Sequence, residues 1–309
     1  MNSDNSTPVT YFALAGLGIQ NDFQIAFFLI ILLLYIVTLL ANMLIMIIPI
    51  FDFTLHTPMY FFLYNLAFLD ICYATVVVPK MIIDFMAQKK HISFWGCMLQ
   101  IHFFHFLGST EITLFSVMSY DRYVAIAQPL RYKTIMSYKV CFGLASCSWI
   151  IGFFHALVHT IMTARLPFCG PNIVEHFFCD VKPVLNLACT DVSLNLKLLS
   201  RVTGTLCITT LILTMLSYVF ISKFLLKIKT SQGRRRALST CSAHFTVVTL
   251  QYGTAIFTYM RSSTKDSLNQ DRSAAIMFSV ITPALNPIIY TLRNKDMKKA
   301  LKKLLKMSN

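Results

Sequence analysis

The stretch Met118-Ser119-Tyr120-Asp121-Arg122-Tyr123-Val124-Ala125-Ile126 places an acid, an arginine and a tyrosine side by side at the end of a long apolar run. A loop that begins Gln128-Pro129-Leu130-Arg131-Tyr132 follows directly. An ion pair at this position, where a membrane helix meets the cytoplasm, can be held in one conformation and released in another. The spacing therefore predicts a conformational switch at Asp121, Arg122 and Tyr123.

Two more acids interrupt apolar segments. Asp70 lies in the middle of one segment, and Glu111 lies eleven residues before Arg122 in another, which is about three helical turns deeper in the membrane. A charge at the bilayer centre costs ~2.5 kcal/mol or more, so it is usually paired or functional. One interpretation is that the two acids share a proton or hold a cation such as sodium, with Asn42 and Asn286 completing the polar shell. The alternative is a single protonated, hydrogen-bonded acid.

The composition indicates the element that positions these groups. The chain has 309 residues, of which 56% are hydrophobic and only 13% are charged, whereas soluble domains carry about a quarter charged residues. These values predict a polytopic membrane protein. The net charge of +14 does not indicate nucleic-acid binding, because the basic residues flank apolar segments and fit a surface beside anionic lipid.

The distribution of charge predicts the orientation in the membrane. Residues 1–22 contain Asp4 and Asp22 and no lysine or arginine. Basic residues form two clusters, Lys223, Lys227, Lys229, Arg234, Arg235 and Arg236, and then Arg293, Lys295, Lys298, Lys299, Lys302, Lys303 and Lys306. By the positive-inside rule the N-terminus is outside and the C-terminus is cytoplasmic.

Seven apolar segments are long enough to cross the ~30 Å hydrocarbon core as helices. They are Ile25 to Ile50, Thr57 to Val78, Trp95 to Tyr120, Val140 to Ala164, Val202 to Ser222, Ala237 to Met260 and Ala274 to Leu292. We therefore predict one all-α, seven-transmembrane domain, with an extracellular N-terminus (1–22), a helix bundle (23–293) and a cytoplasmic tail (294–309). Apolar residues at 297, 301, 304 and 305 of the tail face a lysine-rich side, which predicts a short amphipathic helix on the membrane surface.

The predicted outer side carries sites for covalent modification. Asn5-Ser6-Thr7 is a glycosylation sequon, and residues 1–22 show no cleavable signal peptide. Four cysteines lie on this side, at Cys97, Cys169, Cys179 and Cys189. Disulfides persist in an oxidising compartment, but four cysteines allow three pairings and their spacing selects none of them.

Further motifs along almost the whole chain resemble those of olfactory receptors, a family of rhodopsin-like G-protein-coupled receptors, in their tetrapod-type class. Besides the Asp-Arg-Tyr stretch, they are Leu55-His56-Thr57-Pro58-Met59-Tyr60-Phe61-Phe62-Leu63, Phe168-Cys169-Gly170-Pro171, His176-Phe177-Phe178-Cys179-Asp180, Ser239-Thr240-Cys241-Ser242-Ala243-His244 and Pro283-Ala284-Leu285-Asn286-Pro287-Ile288-Ile289-Tyr290. The departures are mild: Ala41 and Ala127 replace a usual Gly and Cys. The sixth span carries Gln251-Tyr252-Gly253 where other rhodopsin-like receptors have a Cys-Trp-x-Pro motif.

The resemblance implies a receptor, not an enzyme, that activates a stimulatory, cAMP-raising heterotrimeric G protein. It also implies that Cys97 pairs with Cys179, which leaves Cys169 for Cys189. Arg122 would pair with Asp121 in the idle state. The other residues expected to take part in the switch lie at similar depth or at the break in the seventh span, and they are Tyr218, His244, Asn286, Pro287 and Tyr290. Motion of the sixth span would then expose a basic cavity for a G-protein helix.

We expect the ligand pocket in the outer half of the bundle, beneath the loop that contains Cys169 and Cys189. Its expected residues are Phe104, His105, Gly108, Ser109, Ile112, Val202, Thr203, Leu206, Tyr252, Ala255, Ile256 and Tyr259. This lining is mostly apolar, with a few hydroxyls and one imidazole, and it suits a small, volatile, largely hydrophobic molecule with one polar group.

Two other classes of site are weighed against the receptor. The histidine pairs His102/His105 and His155/His159 and the sequence His176-x-x-Cys179-Asp180 have spacings compatible with metal ligation. A disulfide at Cys179 would remove that ligand, so we expect no metal and no cofactor other than the sodium ion. A membrane transporter is the alternative function, but no internal repeat supports it.

Overall fold

The computed structural model describes residues 9–18, 21–227, 230, 232, 241–242, 244–254, 268–293 and 295–307. Several predicted residues lie outside this part of the chain: the sequon Asn5, the expected pocket residues Ala255, Ile256 and Tyr259, and Lys229, Arg234, Arg235 and Arg236 of the first basic cluster. In the second cluster, the side chains of Arg293, Lys295 and Lys306 lie outside the described ones.

Helices make up nearly all of the described chain. They are α1 (Asn21–Phe51), α2 (Pro58–Met86), α3 (Phe94–Ala127), α4 (Tyr132–Ile135), α5 (Tyr138–Ala164), α6 (Val181–Leu185), α7 (Ser193–Leu198), α8 (Gly204–Lys227), α9 (244–254), α10 (Leu268–Ile276), α11 (Thr282–Arg293) and α12 (Lys295–Met307). A 3₁₀ turn at Phe53–Leu55 follows α1. Turns of π-helix at Leu199–Thr203 and Met277–Ile281 join α7 to α8 and α10 to α11.

These helices confirm the all-α membrane fold. Within the described residues, five are long and apolar enough to cross a membrane: Phe23–Phe51, Pro58–Met86, Tyr138–Ala164, Ser193–Lys227 and Arg272–Thr291. The 34-residue α3 is also long enough, although its buried polar residues, such as Gln100, His105 and Glu111, make it less apolar. The predicted sixth span is described only in part.

Several helices extend beyond their predicted ends, among them the second and the third, which corrects those boundaries. The second helix continues to Met86 and includes an ion pair between Lys80 and Asp84, one turn apart. The third continues to Ala127, so Asp121 and Arg122 lie inside the helix and not at its end. The predicted ends lie at the first charges, but a helix can continue past a charge, as the second does through the i, i+4 pair of Lys80 and Asp84.

A small sheet covers the predicted outer end and was not predicted. Strand β1 (Tyr11–Leu14) pairs antiparallel with β2 (His91–Ser93) and parallel with β3 (Ile173–Val174). Strands of two to four residues are too short to show an alternating pattern, and their partners are distant in sequence. The sheet joins the N-terminal segment to two loops of the bundle.

The third helix is the centre of the bundle and packs against α2, α5 and α8. It approaches α5 closely at Gly152, where an added Cβ would clash with Thr110 Oγ1 and lie 2.7 Å from the Phe106 carbonyl oxygen. This glycine therefore allows the two helices to pack in direct contact, which fixes the position of α5 side chains near α3.

The amphipathic tail helix is confirmed as α12. Met297 and Ala300 are buried, whereas Lys298, Lys299, Lys302 and Lys303 are exposed. The helix packs against α1 and α11, so its apolar side closes one end of the bundle.

Candidate functional site

A small cavity of about 40 Å³ lies between the central helix and its neighbours. Its lining is Tyr73, Phe104, His105, Gly108, Ser109, Ile112, His155, Thr203, Cys207, Gln251 and Phe278. Aromatic and aliphatic side chains share this lining with hydroxyl, imidazole and amide groups. Such a concave, mixed surface suits a compact organic molecule.

The structure places half of the expected pocket around this cavity. The expected residues that line it are Phe104, His105, Gly108, Ser109, Ile112 and Thr203. Val202 and Leu206 do not, and Tyr252 is buried with its hydroxyl donating to the Ile112 carbonyl at 3.2 Å. The π-helical turn at Leu199–Thr203 adds a residue to one helical turn, which changes the side of the helix that each residue faces. That turn has no signal in the sequence.

Five lining residues were not expected: Tyr73, His155, Cys207, Gln251 and Phe278. A signal existed for His155, which is a polar residue within the otherwise uncharged Val140 to Ala164. Gln251 was noted only as a feature of the sixth span. The remaining three are apolar or aromatic residues in apolar segments, which sequence alone does not separate from packing residues.

Histidines and hydroxyls connect three helices at one wall of the cavity. Ser109 Oγ lies 2.8 Å from His155 Nδ1, and His155 Nε2 lies 3.1 Å from Thr203 Oγ1. The same Thr203 oxygen lies 3.4 Å from His159 Nε2. Because both His155 nitrogens have hydroxyl partners, this chain of hydrogen bonds fixes the ring orientation and satisfies the buried polar atoms.

The loop above the cavity is held in place by covalent and polar contacts. Disulfides join Cys97 to Cys179 and Cys169 to Cys189, the pairs implied by the family resemblance. The Cys179 amide donates to Gln100 Oε1 at 2.9 Å. Phe178 packs on Phe104 with ring centroids 4.7 Å apart. The loop thus forms a fixed roof over the central helix.

Two titratable groups of this loop are buried. Asp180 Oδ1 lies 3.1 Å from His105 Nε2 and accepts from the Val181 amide at 2.7 Å. Burial opposes ionisation of Asp180, but the hydrogen bond and charge of His105 outweigh it and lower the pKa below its ordinary value. Burial lowers the pKa of His176 to about 4, so its imidazole is neutral at physiological pH.

The residues considered for metal binding have other partners. Cys179 is in a disulfide and is therefore unable to ligate. His155 and His159 are neighbours with ring centroids 4.7 Å apart. Within the described part of the chain, no group of three or more histidine, cysteine, aspartate or glutamate residues has a geometry that could hold a metal ion.

The two membrane acids lie beneath the cavity, and each has an amide partner. Asn286 Nδ2 donates to both Asp70 oxygens at 2.9 and 3.2 Å, and Gln251 Nε2 donates to Glu111 Oε2 at 2.6 Å. The two carboxyls interact electrostatically, and Asn286 also interacts with Glu111. Asn42 instead donates to the backbone oxygens of Thr38 and Pro283. Its amide nitrogen therefore links the first and seventh helices, and no hydrogen bond joins Asn42 to either acid.

The end of the bundle opposite the disulfides contains the expected ion pair. Arg122 pairs with Asp121, with its Nε donating to Oδ2 at 3.0 Å, and both side chains are buried. Tyr132 of α4 donates to the other Asp121 oxygen at 2.7 Å. Burial and the neighbouring Asp121 raise the pKa of Tyr132, so its hydroxyl keeps the proton that it donates.

Of the other predicted switch residues, Tyr218, His244 and Tyr290 interact electrostatically with Arg122, whereas Asn286 is bonded to Asp70. The Tyr218 hydroxyl lies 2.6 Å from His244 Nδ1 and thereby connects α8 to α9. Tyr123 packs against Phe220, with ring centroids 5.7 Å apart. Tyr290 is buried, and its hydroxyl has no hydrogen-bond partner among the described residues. Pro287 lies inside α11, where it removes one backbone hydrogen bond.

Comparison with known proteins identifies the family. The profile described as olfactory receptor matches residues 31–308. The chain is 50% identical over 303 residues to olfactory receptor 12D1 of Homo sapiens, covering 98% of this chain and 95% of that protein. It is 44% identical over 301 residues to olfactory receptor 5G9 of Mus musculus, covering 97% of this chain and 96% of that protein.

These matches favour the receptor over the transporter alternative and over any enzyme, and the apolar helices fit a multi-pass protein of the plasma membrane. The chain therefore belongs to the olfactory receptor family of G-protein-coupled receptors.

Proposed function

We propose that this receptor binds a small, volatile, largely apolar odorant in the cavity beneath the loop of Cys169 and Cys179. The single observation that carries the proposal is the cavity itself, enclosed between aromatic residues and a wall of hydrogen-bonded hydroxyls and imidazoles. Neither a carboxylate nor a lysine or arginine is among the described residues that line it. A neutral ligand with one polar group fits this surface, because an ionic ligand would be buried without a counter-charge.

We propose further that the occupied receptor activates a stimulatory heterotrimeric G protein and raises cAMP. The buried pair of Arg122 and Asp121 is the element that the ligand would bias. Release of the guanidinium, together with separation of Tyr218 from His244, would open the end of the bundle near the exposed Lys223 and Lys227. An open, basic groove of this kind suits a helix of the partner.

The exposed lysines also support a proposed orientation of the receptor in the membrane. We propose an extracellular N-terminus, glycosylated at Asn5, and a cytoplasmic C-terminus, with the lysines of α12 beside anionic lipid. The two disulfides support this assignment, because they lie at the same end as β1 and would form in an oxidising compartment. Loss of the carbohydrate in Asn5→Gln, seen as a mobility shift, tests it.

A sodium ion between Asp70 and Glu111 is proposed as an ionic partner. The available ligands suit a sodium ion, because carboxylate and amide oxygens are hard ligands. Glu111 Oε1 and Asn286 Oδ1 are buried and have no hydrogen-bond partner among the described residues. Thermal stabilisation of the purified receptor by sodium but not by potassium, lost in Asp70→Asn, would support the site; equal effects of both salts would exclude it.

A cell assay of cAMP tests the function as a whole. A panel of alcohols, aldehydes, ketones, esters, acids and thiols is applied to the wild type, to Arg122→Ala and to the matched control Arg131→Ala, at equal surface expression. Arg131 is exposed in the loop after α3. We expect odorant-dependent cAMP in the wild type and Arg131→Ala and none in Arg122→Ala. Full signalling by Arg122→Ala would contradict the proposed switch, and a wild type silent to the whole panel would contradict the proposed ligand class.

A further inference from the structure

Gln251 is the residue that connects the ligand cavity to the buried acids. Its side chain is 2% exposed and lines the cavity. Its Nε2 donates to Glu111 Oε2 at 2.6 Å, and Glu111 does not line the cavity. Gln251 therefore contacts both the cavity and Glu111.

The other amide atom has no partner. Gln251 Nε2 donates to Glu111 Oε2, so the amide oxygen at the other end of the group is not bonded to Glu111. Gln251 Oε1 is buried and unpaired among the described residues. A buried acceptor without a partner is destabilising, so a ligand that supplies a donor would recover this free energy.

The neighbouring polar residues of the cavity do not share this property. Ser109, His155 and Thr203 bond to one another. His105 lies 3.1 Å from an Asp180 oxygen. Among the polar side chains that line the described cavity, only Gln251 has a buried atom that lacks a hydrogen-bond partner. The unmet requirement of the cavity is therefore a hydrogen-bond donor.

We propose that Gln251 Oε1 accepts a hydrogen bond from a hydroxyl group of the ligand, and that Gln251 couples this contact to Glu111 through the opposite end of its amide. This inference rests on the proposed ligand cavity and specifies its ligand class as alcohols. In the idle receptor, the bond from Gln251 to Glu111 also holds α9 against α3, so its loss favours the active arrangement. Gln251 is thus both a specificity determinant and a restraint on the helix that bears it.

The first experiment measures ligand selectivity in the full-length receptor. Primary alcohols of increasing length are compared with the matching 1-fluoroalkanes, which have nearly the same shape and lack the donor. We expect the wild type to respond to an alcohol at a concentration about tenfold lower than to the fluoride, as one hydrogen bond of ~1.4 kcal/mol gives. Gln251→Leu should reduce this ratio to about one.

The second experiment needs no ligand. Basal cAMP, normalised to surface receptor, is measured for Gln251→Leu, for Glu111→Gln and for Thr249→Ala. Thr249 is an exposed residue of α9 that bonds only to the Phe245 carbonyl of its own helix and is the matched control. We expect a severalfold higher basal signal in Gln251→Leu and no change in Thr249→Ala. Combining Gln251→Leu with Glu111→Gln should add little, because both act on one contact.

The outcomes separate this inference from the proposed function. A wild type that responds to carbonyl compounds or esters but to no alcohol overturns the role of Gln251 while the odorant receptor stands. Equal loss of alcohol and fluoride responses in Gln251→Leu would show a packing role only and also overturns it. An unchanged basal signal in Gln251→Leu overturns the coupling to Glu111.

Discussion

The end of this receptor that carries the disulfides, which we propose is the outer end, and the opposite half, which we propose is cytoplasmic, are held together in different ways. Two disulfides and a three-stranded sheet join the N-terminal segment, the loop above the cavity and the central helix at the outer end. The cytoplasmic half is held by single side-chain contacts between helices, such as Tyr218 to His244 and Tyr132 to Asp121. Covalent links resist separation, whereas one hydrogen bond contributes only ~0.5–1.5 kcal/mol.

The buried polar atoms at the cavity wall also differ from those around the two membrane acids. His155 and Thr203 at the cavity wall have partners on both sides. Deeper in the bundle, buried atoms of Glu111, Gln251 and Asn286 have none among the described residues. A ligand bound against this roof therefore acts mainly on the half whose helices are joined by single side-chain contacts. We infer that the outer frame is the fixed reference and that the inner contacts move.

Removal of the long-range disulfide should have the largest effect on this comparison. Cys97 and Cys179 are separated by 82 residues and Cys169 and Cys189 by 20, and loss of a native disulfide costs about 2–5 kcal/mol, more for a longer loop. We expect Cys97→Ser to abolish most surface receptor, Cys169→Ser to reduce it less, and Cys147→Ser, at an exposed free cysteine, to leave it unchanged. Flow cytometry of surface receptor is the measurement. Equal loss in all three variants would contradict a special role for the outer frame.

Acid should weaken the outer end through His176. The pKa of this imidazole is lowered by burial to about 4 from its ordinary 6.5, with Asp180 and Arg272 facing it. Because the unfolded chain binds the proton more readily, stability is full above about pH 6.5 and falls as the pH decreases toward about 4. We expect a loss of ~2 kcal/mol near pH 5, seen as a lower Tm of the purified receptor.

The control for this pH effect is a second histidine of the outer end. His176→Phe should flatten the Tm profile between pH 7 and 5, while His91→Phe, at an exposed position of β2, should keep it. If the profile of His176→Phe matches that of the wild type, another group causes the acid sensitivity and the outer end is less dependent on this loop than we infer.

The hydroxyl at the cavity wall should affect ligand potency and leave basal activity unchanged. Thr203→Val removes the partner shared by His155 and His159, so two buried nitrogens lose a hydrogen bond. We expect about a tenfold higher EC50 for an activating odorant, with basal cAMP unchanged because the inner contacts are intact. Thr205→Val, at an exposed position two residues away, should change neither quantity. A rise in basal cAMP in Thr203→Val would show that the hydrogen bonds of the cavity wall also restrain the idle receptor, which would contradict the comparison.

A smaller effect is expected at the inner end. His244→Phe removes the hydrogen bond to Tyr218 while keeping a ring of similar size. Loss of ~1 kcal/mol from the idle state should raise basal cAMP about fivefold at equal surface expression. The exposed Thr249→Ala on the same helix should behave like the wild type. No rise in His244→Phe would show that this contact does not restrain the idle receptor.

Features that depend on the polarity of a long, continuous segment could be predicted from the sequence. Absence of charge over twenty or more residues indicates the spans, and the placement of Asp121 beside Arg122 identifies an ion pair that the structure contains. The amphipathic tail helix follows from its period. In each case the signal is local, so neighbouring residues suffice to interpret it.

Features that depend on distant contacts or on one irregular turn were not predictable. The pairing of Phe12 with Ile92 joins segments far apart in the chain. The π-helical turn at Leu199–Thr203 changes which side of the fifth span faces the cavity, which explains why Thr203 lines it and Val202 does not. The role proposed for Gln251 could be inferred only from the structure, in which this residue contacts both Glu111 and the cavity.

Hydrogen–deuterium exchange of the purified receptor, with and without an activating odorant, tests the central claim most directly. Our account predicts slower exchange or no change in the outer frame, in peptides that cover 91–107 and 168–185. It predicts faster exchange at the cytoplasmic ends of α8 and α9, where Tyr218 and His244 separate. Faster exchange of the outer frame with an unchanged cytoplasmic half would contradict the account.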